Sequence, residues 1–154
     1  MTLWDWALYA YARPGVADAC LELQDDHGQC VPYLLWAAWA AADGRALDPT
    51  TLARGAVLAR AWNEAAVGPL RQARRRMKSP LADLTDDARE SARAQVKAAE
   101  LAAEQALTQA LDALSPPGCG SIFPLAPALA DAASAWGSQP SRHALLALAE
   151  SLAR

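Results

Sequence analysis

The chain of 154 residues has few of the residues that form β-strands. It contains five valines, five threonines, one isoleucine and one phenylalanine, against 39 alanines. β-Branched and aromatic residues favour strands, whereas alanine is the best helix former. The composition therefore excludes an all-β or a large α/β fold and predicts an all-α protein. Hydrophobic residues make up 53% of the chain and charged residues 20%, which also excludes a disordered chain.

A long apolar run and a visible leader pattern are also missing from this sequence. Its longest stretch without a charge or a turn signal is Val31–Ala42, whereas a membrane-spanning helix needs about 20 apolar residues. No basic segment precedes the first helical pattern, so we expect no secretory or transit peptide and no membrane span. Cys20, Cys30 and Cys119 are widely spaced and odd in number. They indicate reduced thiols in a cytoplasmic protein rather than a disulfide framework.

Helical periodicity and helix breakers predict seven or eight helices packed in a compact bundle. We expect helices over about 4–12, 16–26, 32–43, 49–78 and 86–114, followed by two short amphipathic helices. The helix at 32–43 is apolar on every side, which is typical of a central helix surrounded by others. Because proline has no N–H to donate, Pro69 should kink or break the helix that contains it.

A segment rich in proline and glycine, 115–123, predicts a linker. It separates a main helical domain, residues 1–114, from a helical pair, residues 124–154. Neither helix of the pair has an apolar face large enough to fold independently. We expect the pair to dock on the main bundle or to offer a surface for a second chain, so a homo-oligomer is one possible assembly.

No catalytic or metal-binding pattern stands out along the chain. The two histidines, His27 and His143, lie more than a hundred residues apart, and no glycine-rich phosphate loop is present. Glu22 and Asp25 lie near His27, but helical spacing puts them on a solvent face rather than in a pocket. We therefore expect no metal and no cofactor, and favour a non-enzymatic protein over an enzyme.

The strongest local pattern is a cluster of basic residues in a segment, 54–78, that carries seven bases and one acid. Its spacing of i, i+3, i+4 and i+7 puts four cations on one face of a helix. We name this surface the basic face; its members are Arg71, Arg74, Arg75 and Lys78.

Two interpretations of the basic face are open. Its cations could bind an acidic protein partner or a phosphate group. They could instead be neutralised within the chain by the acids of 18–26 or of 83–87, since arginine commonly pairs with carboxylates. Nucleic acid is disfavoured as a partner because the chain is acidic (pI about 5.3) and no aromatic residues flank the cluster.

Two aromatic residues of the first helix form a second pattern. Trp6 and Tyr9 lie opposite the main apolar face of that helix, which contains Leu3, Trp4, Ala7, Leu8 and Tyr11. Either the helix is packed on both sides, or Trp6 and Tyr9 are exposed as an anchor for a partner or a hydrophobic ligand.

Two clusters of residues resemble a proteobacterial family of short, mostly helical proteins carried as a conserved domain of unknown function. The first cluster is Leu3-Trp4-Asp5 with the segments 11–16 and 19–25. The second combines Trp62, Val67 and Pro69-Leu70-Arg71 with the segment 74–78. The resemblance covers about residues 3–114 and implies a bacterial cytosolic origin and no established activity. It provides no catalytic residues.

These observations favour a non-enzymatic, cytoplasmic protein-interaction protein that contacts an unidentified protein through the basic face, Trp6 and Tyr9. The alternative is a protein or enzyme that binds an anionic or amphipathic small molecule in a tryptophan-lined pocket beside the basic face. Nucleic-acid binding is a weaker alternative. A sizeable pocket next to the basic face is the structural feature that the small-molecule alternative requires.

Overall fold

The fold is all-α, as predicted. The computed structural model describes residues 1–138 and 140–154, and within these it contains helices and no β-strand. The α-helices are α1 (Leu3–Tyr11), α2 (Val16–Asp25), α3 (Val31–Ala42), α4 (Pro49–Trp62), α5 (Gly68–Arg76), α6 (Asp86–Leu114), α7 (Leu125–Trp136) and α8 (Arg142–Ala153). A π-helical turn, Asn63–Val67, joins α4 to α5. The described chain therefore has seven separate helical segments, within the predicted count.

Local capping explains where several helices begin. A side-chain oxygen accepts a hydrogen bond from the third backbone N–H of each of four helices; the capping residues are Thr2, Asp48, Thr85 and Ser141. In α6 the two aspartates at the first positions also lie at the positive end of the helix dipole. These signals lie within the sequence, and the predicted bounds of α6 are confirmed.

The predicted central helix, α3, is confirmed. Its residues 32–41 are all buried, and Trp36 and Trp39 are among the largest side chains of the core. α7 packs against α3 and α4, and α8 packs against α2 and α7. Leu129 of α7 and Leu148 of α8 belong to the same buried cluster as Trp36. The division into a main domain and a helical pair stays a prediction, but one core joins the two parts.

The predicted linker is non-helical and hydrogen-bonded to the end of α3. The Cys119 N–H donates to the Gly44 carbonyl at 2.8 Å, and the Phe123 N–H donates to the Ala41 carbonyl at 2.9 Å. The Arg45 guanidinium donates to the Pro116 carbonyl at 3.1 Å. The first two bonds satisfy carbonyls at and just after the C-terminus of α3, where the helix itself provides no donors, and the third satisfies a carbonyl of the linker.

At Pro69, where the sequence predicts a kink or a break, the structure shows a change in hydrogen-bond register and no end of the helix. The π-helical turn at 63–67 precedes it, and the Gly68 N–H donates to the Asn63 carbonyl, five residues earlier. Because proline cannot donate, an α-helical pattern would leave one carbonyl of this turn without its donor. The π-helical turn changes the register, and the chain remains helical through it.

The turn between α1 and α2 docks on the end of α8. Gly15 adopts a φ of +84°, and a Cβ atom there would lie 2.9 Å from the Ser151 hydroxyl oxygen. The Arg13 guanidinium donates to the Leu152 carbonyl in the last turn of α8. A cation at a helix C-terminus is favourable because the carbonyls there lack intrahelical donors.

α5 and the first half of α6 form a helical hairpin beside the core. α5, all of which the structure describes, has no fully buried residue. The buried Arg89 of α6 donates to the Met77 carbonyl at 2.8 Å and to the Lys78 carbonyl at 3.0 Å. The hairpin is therefore held mainly by polar contacts.

In the described part of the chain, no helix combines the length and the apolarity that crossing a bilayer requires.

The close contact of Gly55 with α3 generates a first prediction. A Cβ atom at Gly55 would lie 2.4 Å from a ring carbon of the buried Trp36. Overpacking typically costs about 1–3 kcal/mol, which outweighs the gain of about 1 kcal/mol for alanine over glycine in a helix. Gly55→Ala should lower the free energy of urea unfolding, measured by circular dichroism. Val57→Ala, at an exposed position of the same helix, should change it by less than about 0.5 kcal/mol; equal values for both variants would contradict the prediction.

The cysteines generate a second prediction. Cys20 and Cys30 are buried and Cys119 is exposed. Burial raises the pKa of Cys20 to about 12 and that of Cys30 to about 11, so both remain thiols at neutral pH. A thiol reagent at pH 8 should therefore modify one cysteine rapidly in the native protein and all three after denaturation. Cys119→Ser should remove the rapid phase, and a rapid reaction of all three native thiols would refute the assignment.

Candidate functional site

Five helices enclose an open groove on one side of the bundle. The groove has a volume of about 720 Å³ and is lined by side chains of α1, α2, α3, α5 and α6. Its lining along α6 extends from Ala94 to Thr108, a rise of about 21 Å at 1.5 Å per residue. This volume falls in the range that is usual for ligand sites, about 300–1,000 Å³. We name it the α1–α6 groove.

Large apolar side chains surround the mouth of the α1–α6 groove. The exposed fractions are 51% for Leu8, 39% for Tyr11, 47% for Leu21 and 51% for Leu101. Trp4, Val31 and Leu35 also line the groove and are less exposed. Monomeric proteins rarely leave several large apolar side chains exposed around one depression, and such patches commonly mark binding surfaces.

An ion-pair network lies in the wall of the groove. Glu100 is only 6% exposed. Its carboxylate accepts a hydrogen bond from the Arg71 Nε at 3.0 Å and further hydrogen bonds from the Arg74 guanidinium. Arg71 also donates through a terminal nitrogen to the Glu104 carboxylate at 2.9 Å. These contacts join α5 to α6.

The pKa values of the two glutamates of this network are shifted in opposite directions. Burial alone would raise the pKa of Glu100, but the hydrogen bonds from Arg74 and Arg71 outweigh it and bring the pKa below its ordinary value. Burial raises the pKa of Glu104 above its ordinary value, and the charge of Arg71 offsets this only in part. Glu100 is therefore the firmly ionised member of the network.

The basic face is largely neutralised within the chain. Arg71 and Arg74 pair with Glu100, and Arg75 pairs with Asp25 at 2.6 Å on the surface. Lys78 is exposed beyond the end of α5. The structure thus shows the intramolecular pairing that the sequence left as one of two interpretations. The role of these four residues in partner binding stays a prediction.

Sequence reasoning identified only part of this pairing. Asp25 was among the expected acids, whereas Glu100 and Glu104 were not. They lie one helical turn apart on α6, so their spacing is compatible with a shared face. Which face of α6 meets α5 depends on the packing of the two helices, and no pattern within either helix specifies it.

Trp6 and Tyr9 have different environments. Trp6 is partly buried and packs against the core, whereas Tyr9 is 61% exposed, with the Arg13 guanidinium 5.0 Å from its ring centroid. They do not form one exposed pair. The buried line of α1 is instead Leu3, Ala7 and Ala10. Leu8 and Tyr11, which belong to the predicted main apolar face of this helix, are exposed in the described structure and line the groove.

The polar groups of the α1–α6 groove suit noncovalent binding. Among the described residues, no group of three or more His, Cys, Asp or Glu side chains is placed to hold a metal ion. The groove offers apolar side chains together with Arg71, Arg74, Lys97 and the two glutamates. Such a lining can desolvate an apolar group and pair with a charge on the same molecule.

Comparison with known proteins places the chain in a family. The family model described as "Protein of unknown function (DUF2390)" matches residues 2–111, more than half of the chain. No curated protein and no solved structure matches the chain. The resemblance inferred from the sequence is therefore confirmed at the level of a family of unknown function, while its proteobacterial distribution stays a prediction.

The buried network generates a third prediction. Glu100→Gln removes the charge that holds Arg71 and Arg74, and hydrogen bonds to charged groups contribute about 1.5–3 kcal/mol. We expect the free energy of unfolding to fall by about 2 kcal/mol at pH 7. Glu150→Gln, at an exposed position of α8, is the control and should change it by less than about 0.5 kcal/mol.

The effect of Glu100→Gln should also depend on pH. The pKa of Glu100 in the folded protein lies below its ordinary value of 4.5. Its stabilisation is therefore complete above pH 4.5 and is lost as the pH falls through the folded value. The difference between wild type and variant should shrink in acid; a difference that grows below pH 4.5 would refute the assignment.

Proposed function

We propose that this chain, which belongs to the family described as protein of unknown function (DUF2390), binds an amphipathic ligand in the α1–α6 groove. The observation that carries the proposal is the exposure of Leu8, Tyr11, Leu21 and Leu101 around one depression. The protein acts as a binding protein in this proposal, and no residue is assigned a catalytic role.

The apolar lining supports the proposal energetically. Removing apolar surface from water contributes about 25 cal/mol per Å², and complete burial of a leucine contributes about 1.5–3 kcal/mol. Leu8, Leu21 and Leu101 are each about half exposed. A ligand that covers these side chains therefore gains about 1 kcal/mol from each of them. Contact of the ligand with the partly exposed Trp4 adds to this gain.

The ion-pair network supports a preformed groove. Glu100 bridges two arginines of α5 from α6, and Arg71 also reaches Glu104. These bonds hold α5 and α6 at a defined distance from each other and leave the α1–α6 groove open. Binding to a site that is already formed does not require its side chains to become ordered, so that entropic cost is avoided.

The proposal moves the binding surface from the basic face to the groove. Sequence analysis favoured a protein partner on the basic face and left open whether its cations are available or are neutralised within the chain. Arg71, Arg74 and Arg75 each have a carboxylate partner within the chain. A partner would have to displace these carboxylates, and the displaced buried Glu100 would then lack compensation for its charge. The apolar groove needs no such displacement.

The cysteines support a cytoplasmic location as part of the proposal. Cys20 and Cys30 are both buried in the core as free thiols. Reducing compartments keep thiols in this state, whereas secreted proteins commonly oxidise them. The thiol titration described above measures this state in protein isolated from the native cell.

Binding of an uncharged solvatochromic dye provides a fourth prediction. Its fluorescence should shift to the blue and saturate with wild-type protein. Leu101→Glu puts a charge at the mouth of the groove and should weaken dye binding about tenfold, equivalent to about 1.4 kcal/mol. Leu81→Glu makes the same change at a leucine that is 66% exposed outside the groove, and should leave dye binding unchanged.

Circular dichroism of both variants controls for folding, since neither leucine is buried. Equal dye affinities of wild type and Leu101→Glu would overturn the proposed site. A loss of affinity in Leu81→Glu as large as that in Leu101→Glu would do the same, because it would place the dye outside the groove.

A further inference from the structure

We infer that the ligand of the α1–α6 groove is a single-chain amphiphile with one negative charge, whose head group lies at Lys97 and whose apolar chain runs toward Trp4. This inference rests on the proposed function and specifies the chemical class of its ligand. Three observations carry it: the balance of charges in the groove, the position of the unpaired charge along it, and its length.

The charges that line the groove leave one cation in excess. Three cations and two carboxylates line it, and four of these five groups belong to the network of Arg71, Arg74, Glu100 and Glu104. Lys97 is the fifth, and within the described residues it forms no ion pair. The groove therefore carries a net positive charge in a chain whose net charge is −3. This local charge complements a single anionic group on a ligand.

The unpaired charge lies toward one end of the groove. On α6, Lys97 lies near the end marked by Ala94, and Thr108 marks the opposite end. Glu100 and Glu104 lie between them and are both paired with arginines of α5. The Thr108 hydroxyl donates to the Gln105 carbonyl at 2.8 Å, so it is used within its own helix. Lys97 thus marks the charged end of the groove.

Beyond Glu104, no charged group lines the opposite end of the groove in the described structure. The Leu3 N–H donates to the Asp112 carboxylate at 3.0 Å, which places the start of α1 beside the C-terminal part of α6. Trp4 and Ala7 consequently line the groove near Thr108. A molecule with one charged end and an apolar remainder matches this distribution.

The length of the groove suits an extended chain. Its lining along α6 extends from Ala94 to Thr108, a rise of about 21 Å. A single chain that lies along this length would contact Leu101 near Lys97 and Trp4 near Thr108.

The test is a displacement titration that uses the uncharged dye with dodecanoate and with dodecanol, both below their aggregation limits and at pH 8. The two competitors share a chain length and differ in the charge of the head group. Wild-type protein should bind dodecanoate about fivefold more tightly than dodecanol, the size of effect expected for one partly solvated ion pair.

Two lysine variants identify the cation that binds the head group. Lys97→Met keeps an unbranched side chain and removes the charge, so it should abolish the preference for dodecanoate and retain dodecanol binding. Lys78→Met makes the same change on the basic face outside the groove, and the preference should persist. The dye affinity of each variant is measured first without competitor, and the two competitors are then compared within each variant, so a change in dye affinity alone does not alter the ratio of dodecanoate to dodecanol affinity.

Failure of the inference is distinguishable from failure of the proposed function. Equal affinities for dodecanoate and dodecanol, or a preference that survives in Lys97→Met, would overturn the inference while the groove remains the binding site. The inference would also be overturned if Leu101→Glu weakens dye binding but neither competitor displaces the dye. That result would favour a protein segment as the occupant of the groove. A dye that is insensitive to Leu101→Glu would overturn the proposed function itself.

Discussion

The position of α5 depends on the carboxylate of Glu100. α5 has no fully buried residue in the described structure, so apolar packing alone does not hold it against the bundle. Two arginines of α5 converge on Glu100, which α6 presents with little exposure to solvent. Removing one partner of a buried ion pair leaves an uncompensated charge, which lowers the free energy of unfolding. Arrangements of α5 and α6 that separate these groups are therefore disfavoured. The same contacts set one wall of the α1–α6 groove.

The groove exists because α1 contributes side chains both to the core and to the groove. Leu3, Ala7 and Ala10 of α1 are buried in the core, while its side chains Leu8 and Tyr11 face the groove. α6 provides the other wall, because its 29 residues extend past the core to pair with α5. A helix that covered Leu8 and Leu101 would close this space. In the described structure they remain open, and the proposed ligand would cover them.

The core of the protein extends beyond the part of the chain that the family model matches. The matched residues 2–111 include the central helix α3, and α7 packs directly on α3. Leu129 and Leu148, from the two helices that follow, lie in the same cluster as Trp36. The turn between α1 and α2 likewise contacts the end of α8 through Arg13. The groove, in contrast, is built entirely from helices α1 to α6, so its lining lies within the matched residues.

The sequence by itself determined the all-α class, the central position of α3, the bounds of α6 and the place of the arginine cluster, because alanine content, caps and helical spacing act within one segment. Only the tertiary structure decided that Glu100 pairs with Arg71 and Arg74, and that Leu8 remains exposed. An amphipathic pattern shows which face of a helix is apolar, but whether a neighbouring helix covers that face depends on how separate segments meet. Ion-pair partners on two helices likewise follow from the relative register of those helices, which neither helix encodes alone.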